Sequence, residues 1–376
     1  MNLRVRAREF FSALFCLPLW LLAQSGLPHA EAPSLRFQNR IIQARDSVLA
    51  AMHRQKLPGL SIAVAQNHEL LWSEGFGYAD VENRVAVTPL TKFRIGSVSK
   101  PVTAAGMALM AEQNKLDLEA SVRKYVPSFP PKRYDFTTRQ LAGHLAGIRH
   151  YAGEEFLSTK HYPTVLSGLT MFERDTLLFK PGEKFSYTSY GWNLISAVVE
   201  AAAQKGFLAY MREQVFRPLA MTHTVADHVD SLIAFRTRFY ERDSSGNLLN
   251  APFVDNSYKW AGGGFLSTPE DLLKFGAAHL EAGFLKKETL AMLLTSQKTN
   301  DGKRTEYGLG WILGKDDSGR AWFGHGGGSV GGTAYLIIYP EQKIVLAVLT
   351  NIGNANFRKL PEQLAQVFML DGMVSR

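Results

Sequence analysis

Cysteine is nearly missing: Cys16 is the only one in 376 residues, and it falls in an apolar leader. With that leader removed, no thiol remains. Disulfides, a cysteine nucleophile and a cysteine-based zinc site are then all excluded. The chain also has no His-Glu-x-x-His, so no metal and no cofactor is expected. His144 and His150 read as structural histidines rather than ligands. Concentrated charge is absent as well. The net charge is +8, but lysine and arginine are scattered, with no basic stripe carrying interleaved aromatics. Nucleic acid is therefore not an expected partner. No apolar run reaches the roughly 18 residues of a membrane span. Internal repeats and low-complexity linkers are lacking too. With 46% hydrophobic and 20% charged residues, the bulk of the chain reads as one folded unit with a sizeable core.

The leader is the first positive signal. Arg4, Arg6 and Arg8 precede a charge-free apolar run, Phe10 to Ala23, of 14 residues. That is the length of a signal-peptide core, and Ala23-Gln24-Ser25 offers small residues for cleavage. Residues 1–25 are expected to be a signal peptide and 26–44 a linker, with the folded domain over 45–371. The protein is expected to be secreted or periplasmic, in a bacterial envelope. The alternative is an uncleaved segment that anchors the protein to the membrane.

Periodicity gives a coarse architecture. Ile42, Val48, Leu49 and Met52 recur at helical spacing. Leu60–Ala65 and Leu70–Ser73 flank a turn at Asn67-His68-Glu69 and predict a hairpin. The middle is helical: 98–113 is strongly apolar, 194–203 is a second helix, and Thr268-Pro269-Glu270-Asp271 caps a third through Phe275 and Leu280. Ala334–Tyr339 and Ile344–Leu349 form a last hairpin, followed by an amphipathic helix through Leu364, Val367, Phe368 and Leu370. Strands at both ends with helices between them predict an α+β fold. Its antiparallel sheet would be built from both termini and flanked by helices, with a mostly helical lobe inserted over about 98–260.

Three segments carry chemistry. Ser97-Val98-Ser99-Lys100 opens a helix, and three-residue spacing puts serine and lysine on one face. A serine hydroxyl is a poor nucleophile until a neighbour takes its proton. A partly desolvated lysine can do so, and the helix N-terminus adds backbone N–H donors for a developing oxyanion. Tyr187 lies two residues before Ser189 on a loop entering a helix, where it could serve as a second acid/base group. His325-Gly326-Gly327-Gly328 is so rich in glycine that another backbone or a ligand must come close; His325 could contact substrate, or the segment could be a flexible loop. A rival reading takes Gly327-Gly328-Ser329-Val330-Gly331 as a Gly-x-Ser-x-Gly elbow. It fails on order, because no histidine follows Ser329.

In order and spacing, Ser97-x-x-Lys100, Tyr187-x-Ser189 and His325-x-Gly327 resemble the motifs of the serine β-lactamase and penicillin-binding-protein family. Gly75–Asp80 and Tyr307–Trp311 are similar as well, and the likeness runs from about 45 to 371. Within the family, Gly147–Tyr151, Val122–Pro127 and Val254–Thr268 resemble the LACTB branch of animal mitochondria. The shorter 153–180 segment and the leader mark a bacterial relative. The resemblance implies a β-lactamase/transpeptidase-like fold. It also implies Ser97 as the acylated nucleophile, Lys100 as its proton acceptor or relay, and Tyr187 as the proton donor to the leaving group. Backbone N–H groups of Ser97 and Gly328 would form the oxyanion hole, with His325, Ser189 and Gly327 on the substrate side. Ser189 stands where many members have asparagine, and His325 where lactam hydrolases have lysine. Both departures weaken recognition of a lactam.

The function expected is a serine hydrolase working through an acyl-enzyme on Ser97. It is read first as a LACTB-like peptidase or amide hydrolase. A carboxylesterase, a weak β-lactamase or a DD-peptidase on the same site is the alternative. A filament-forming scaffold with little activity is the reading from another class, since self-assembly goes with the LACTB resemblance. The substrate partner is accordingly a peptide, an ester or a lactam.

Overall fold

The computed structural model describes residues 37–357 and 359–369. The leader expected over 1–25, with Cys16, lies outside them. Helix α1 spans Gln38–Gln55, so regular structure begins before residue 45, inside the expected linker. Its buried stripe is Ile41, Ala44, Val48 and Ala51, while Ile42 and Leu49 are exposed. The spacing was helical, but the buried face is rotated by one residue.

Strands β1 (Gly59–Gln66) and β2 (Glu69–Asp80) form the first hairpin. Asn67 and His68 both take positive φ, 51° and 67°. A two-residue turn of this kind matches the right-handed twist of paired strands. β2 runs well past Ser73 and carries Gly75-Phe76-Gly77 within it, with Leu60 opposite Phe76. Then follow β3 (Val85–Ala86), β4 (Phe93–Arg94) and the long helix α2 (Ser99–Glu112). The lobe holds α3 (Thr138–Ala142), α4 (Val165–Leu169), α5 (Ser189–Ala203), α6 (Phe207–Met211), β5 (Val225–Ala226), β6 (Tyr240–Arg242), β7 (Leu248–Asn250) and α7 (Trp260–Gly263). It is thus mostly helical, as expected, with short strands added.

The chain closes with β8 (Phe265–Ser267), α8 (Pro269–Ala277), α9 (Lys287–Leu293), β9 (Ile312–Lys315), β10 (Ala321–Ser329), β11 (Gly332–Tyr339), β12 (Ile344–Thr350) and α10 (Leu360–Met369). Thr268 caps α8 by accepting the Asp271 N–H. That helix ends at Ala277, before Leu280.

Seven strands make one antiparallel sheet in the order β3-β2-β1-β12-β11-β10-β9. The first hairpin therefore pairs with the last, Leu60 opposite Thr350 and Gln66 opposite Ile344. Both faces are covered. Leu60, Ile62, Val64, Leu346 and Val348 face a core shared with α1 and α10. Ala63, Ala65, Val345, Ala347 and Leu349 face the core of the helical lobe. This explains why β1 and β12 read as continuous apolar runs rather than alternating ones. Helix α2 is buried on nearly every side, so it is the lobe's central rod.

Phe368 of α10 is fully buried and stacks on Trp72 of β2 at 6.3 Å. Phe368→Ala is expected to cost about 3–5 kcal/mol, read as a lower urea midpoint at unchanged slope.

Candidate active site

Ser97 sits in a 3₁₀ turn, Gly96–Val98, that leads directly into α2. Lys100 is thereby one turn into the helix and 0% exposed. Its Nζ lies 2.8 Å from Ser97 Oγ, 3.0 Å from Ser189 Oγ and 2.8 Å from the Gly262 carbonyl oxygen. No carboxylate is among these partners. Burial first, and the charge of Lys259 second, push the amine well below the ordinary lysine range. A neutral amine has two N–H groups and one lone pair. Donation to Ser189 and Gly262 leaves the lone pair facing the Ser97 hydroxyl. That is the geometry a base needs to take the serine proton.

The Tyr187 ring lies 4.8 Å from Lys100 Nζ. Its hydroxyl faces those of Ser97 and Ser189, and burial raises its pKa, so it stays protonated. It can therefore donate a proton but is not a standing phenolate. Two histidines hold this segment. His144 Nδ1 accepts the Thr188 N–H and His150 Nδ1 accepts the Ser189 N–H, both at 3.1 Å. They fix the first turn of α5, and with it Ser189 and Tyr187.

Strand β10 closes the other side. It pairs with β9 only from Ala321 to Gly324, and beyond that its outer edge meets the Ser97 turn. A Cβ on Gly327 would stand 1.9 Å from the Ile95 carbonyl oxygen, and one on Gly96 would stand 2.5 Å from that of Gly328. The glycines are therefore required by backbone contact, in a regular strand rather than a flexible loop. A Cβ on Gly328 would meet nothing within 4 Å; this residue and Ser97 line a pocket of about 390 Å³ with Ser189, His150, Tyr151, Phe156, Lys259 and Glu241.

The structure thus brings Ser97, Lys100, Tyr187, Ser189 and Gly328 together. Gly327 supports the strand contact rather than the pocket wall. His325 does not line the pocket. Its ring is 2% exposed; Nδ1–H donates to the Gly326 carbonyl at 2.6 Å and Nε2 accepts the Tyr307 hydroxyl at 3.0 Å. Its ring lies 6.2 Å from that of Tyr187, behind the site rather than in it. Tyr307, Gly262, Tyr151 and Lys259 were not singled out from the sequence. All four lay inside stretches that carried the resemblance, Tyr151 in 147–151, Lys259 and Gly262 in 254–268 and Tyr307 in 307–311, but no spacing rule marks them. Among the described residues no cluster of three His, Cys, Asp or Glu could hold a metal. No described helix is long and apolar enough to cross a membrane.

The model of the Beta-lactamase family matches residues 44–367. The chain belongs to that family. It is 33% identical, over an alignment 420 positions long, to the serine beta-lactamase-like protein LACTB, mitochondrial, of Mus musculus, covering 84% of this chain and 76% of that protein. Among solved structures, the octameric penicillin-binding protein homologue from Pyrococcus abyssi aligns with a TM-score of 0.75 at 27% identity, over 88% of this chain and 76% of that one. A D-stereospecific amidohydrolase from Streptomyces shares the fold at a TM-score of 0.73 and 21% identity, over 85% of this chain and 97% of that one. The α+β, β-lactamase/transpeptidase-like architecture read from the sequence is the one found, and the protein is a serine hydrolase of that fold.

Within this β-lactamase fold the buried histidines set an acid limit. Burial, the largest cause, holds His325 at about 3, whereas an unfolded histidine titrates near 6.5. As pH falls below 6.5 the unfolded chain takes up the proton first, so this histidine's contribution to stability falls from there towards pH 3 and is constant above. His279, buried at about 4, acts in the same direction. The urea midpoint is expected to be lower at pH 5 than at pH 7.5, with a smaller drop in His325→Gln.

Proposed function

We propose that the protein hydrolyses amide bonds, peptides foremost, through an acyl-enzyme on Ser97. The observation that carries this is the desolvated Lys100 amine 2.8 Å from Ser97 Oγ, with both of its N–H groups engaged elsewhere. The Ser97 proton passes to Lys100 as Oγ attacks the carbonyl carbon. The oxygen of the tetrahedral intermediate is held by the N–H groups of Ser97 and Gly328. The C–N bond then breaks, and Tyr187 gives its proton to the departing nitrogen while Lys100 returns one to Tyr187. Water attacks the ester by the same route in reverse and frees Ser97.

The preference for peptides over lactams rests on His325. It stands where lactam hydrolases carry lysine, and at about 3 it is neutral in any ordinary buffer. It offers no charge to a lactam carboxylate. The likeness to LACTB and to an amidohydrolase supports an amide substrate. The leader-like residues 1–25 support the reading, part of the same proposal, that this activity lies in the cell envelope.

Ser97→Ala is expected to abolish the mass adduct formed with a fluorophosphonate; an adduct that persists would remove Ser97 from the nucleophile's role. Tyr187→Phe is expected to lower kcat/KM on a peptide amide by roughly 10²–10⁴, measured by coumarin release. Fractionation of the native host is expected to recover the protein in the envelope.

A further inference from the structure

Lys259 is a buried lysine without an ion pair or hydrogen bond to its amine among the described residues. It ends the 3₁₀ turn Ser257–Lys259, immediately before α7, the helix whose Gly262 carbonyl holds Lys100. The residue is 2% exposed and its Nζ makes no hydrogen bond. Three rings surround that nitrogen: Phe156 at 4.3 Å, Tyr258 at 5.2 Å and Tyr151 at 5.8 Å. It nevertheless lines the same pocket as Ser97 and Gly328.

Buried lysines are almost always paired, because an isolated charge in a dry site is expensive. Here the carboxylates are already engaged. Asp227, whose charge reaches Lys259, is bound by Arg94 Nε at 2.7 Å, by Arg236 Nη1 at 3.5 Å and by Asn256 Nδ2 at 2.9 Å. Glu155 is held by both terminal nitrogens of Arg149, and Glu241 accepts the Gly331 N–H at 2.7 Å. Among the described residues lining the pocket, Lys259 Nζ and Ser329 Oγ are the buried polar atoms left without a hydrogen bond, and Lys259 is the only one of the two that can carry charge. Burial, with the charge of Arg94 next, brings its pKa down to about 7, so an arriving anion would restore the ammonium. The aromatic walls exclude water, which strengthens an ion pair, and their faces favour the cation. Positive charge for reading a substrate has in effect moved from β10, where His325 is neutral, to the turn before α7.

We propose that Lys259 is the specificity-determining residue of this pocket and recognises a carboxylate on the substrate that acylates Ser97. This rests on the amide-hydrolase reading above. The carboxylate has two sources. It is either an acidic side chain on the acyl part, or a free chain end on the leaving part.

Two isosteric pairs of probes separate them. For the acyl side, acetyl-aspartyl and acetyl-asparaginyl coumarin amides are compared. For the leaving side, the phenylacetyl esters of 3-hydroxybenzoate and 3-hydroxybenzamide are compared. The readout is the ratio of kcat/KM within each pair, so a general change in activity cancels. The wild type is expected to favour the charged member of one pair by about tenfold or more. That ratio is expected to collapse towards one in Lys259→Met and Lys259→Gln, and to be kept in part by Lys259→Arg. No preference in either pair, with Ser97 still labelled by a fluorophosphonate, overturns the recognition role and leaves the hydrolase reading standing. A preference that survives both neutral variants overturns it too. No labelling of wild-type Ser97 overturns both together. The wild-type ratios decide the matter even where a variant does not fold.

Discussion

A lysine amine taken wholly out of water, with no carboxylate to answer it, sets the terms for the rest of this molecule. Lys100 is held by three oxygens: Ser97 Oγ on its own turn, Ser189 Oγ at the start of α5 and the Gly262 carbonyl of α7. Each comes from a different part of the chain, and each must be in place at once. A buried ammonium would be costly there, so the site favours the neutral amine, the form that accepts a proton. The reactive state is thus a consequence of burial rather than of any one neighbour.

Much of the surrounding structure holds those three oxygens still. Two neutral histidines, His144 and His150, accept the first N–H groups of α5 and fix Ser189. The glycines of β10 let that strand lie directly against the Ser97 turn, since a Cβ at Gly327 would overlap the Ile95 carbonyl oxygen. Tyr307 and His325 then back the Tyr187 ring. The helical lobe and the sheet meet at this seam, and the sheet itself depends on the pairing of β1 with β12. The distances in the site therefore rest on contacts between chain ends almost 300 residues apart, Leu60 with Thr350.

The pocket also shows where electrostatics has been rearranged. The histidine on β10 is uncharged and satisfied within the fold. The basic residue that lines the cavity is instead Lys259, its amine wrapped by aromatic rings. Its amine has no hydrogen bond within the described fold, which is why a ligand is the natural partner to seek.

The sequence by itself determined the local part. Ser97 and Lys100 are three residues apart on a helix, so their proximity follows from helical geometry. The two hairpins, the cap at Thr268 and the α+β order of elements were equally legible, because turns and periodicity are local signals. The ordered motifs further identified the family. Boundaries were less legible: α1 starts at Gln38, and its buried face includes Ile41 rather than Ile42, because tertiary contact chooses among apolar neighbours. Only the tertiary structure decided which distant groups join the pair. Gly262 enters through a carbonyl that every residue possesses, so no residue type announces it. His325 read as a substrate contact, yet packing turns its two nitrogens to Tyr307 and Gly326. Lys259 read as one lysine among many, and only burial, with every nearby carboxylate engaged, sets it apart. Side-chain identity travels with the sequence, whereas desolvation and the absence of a partner are properties of packing.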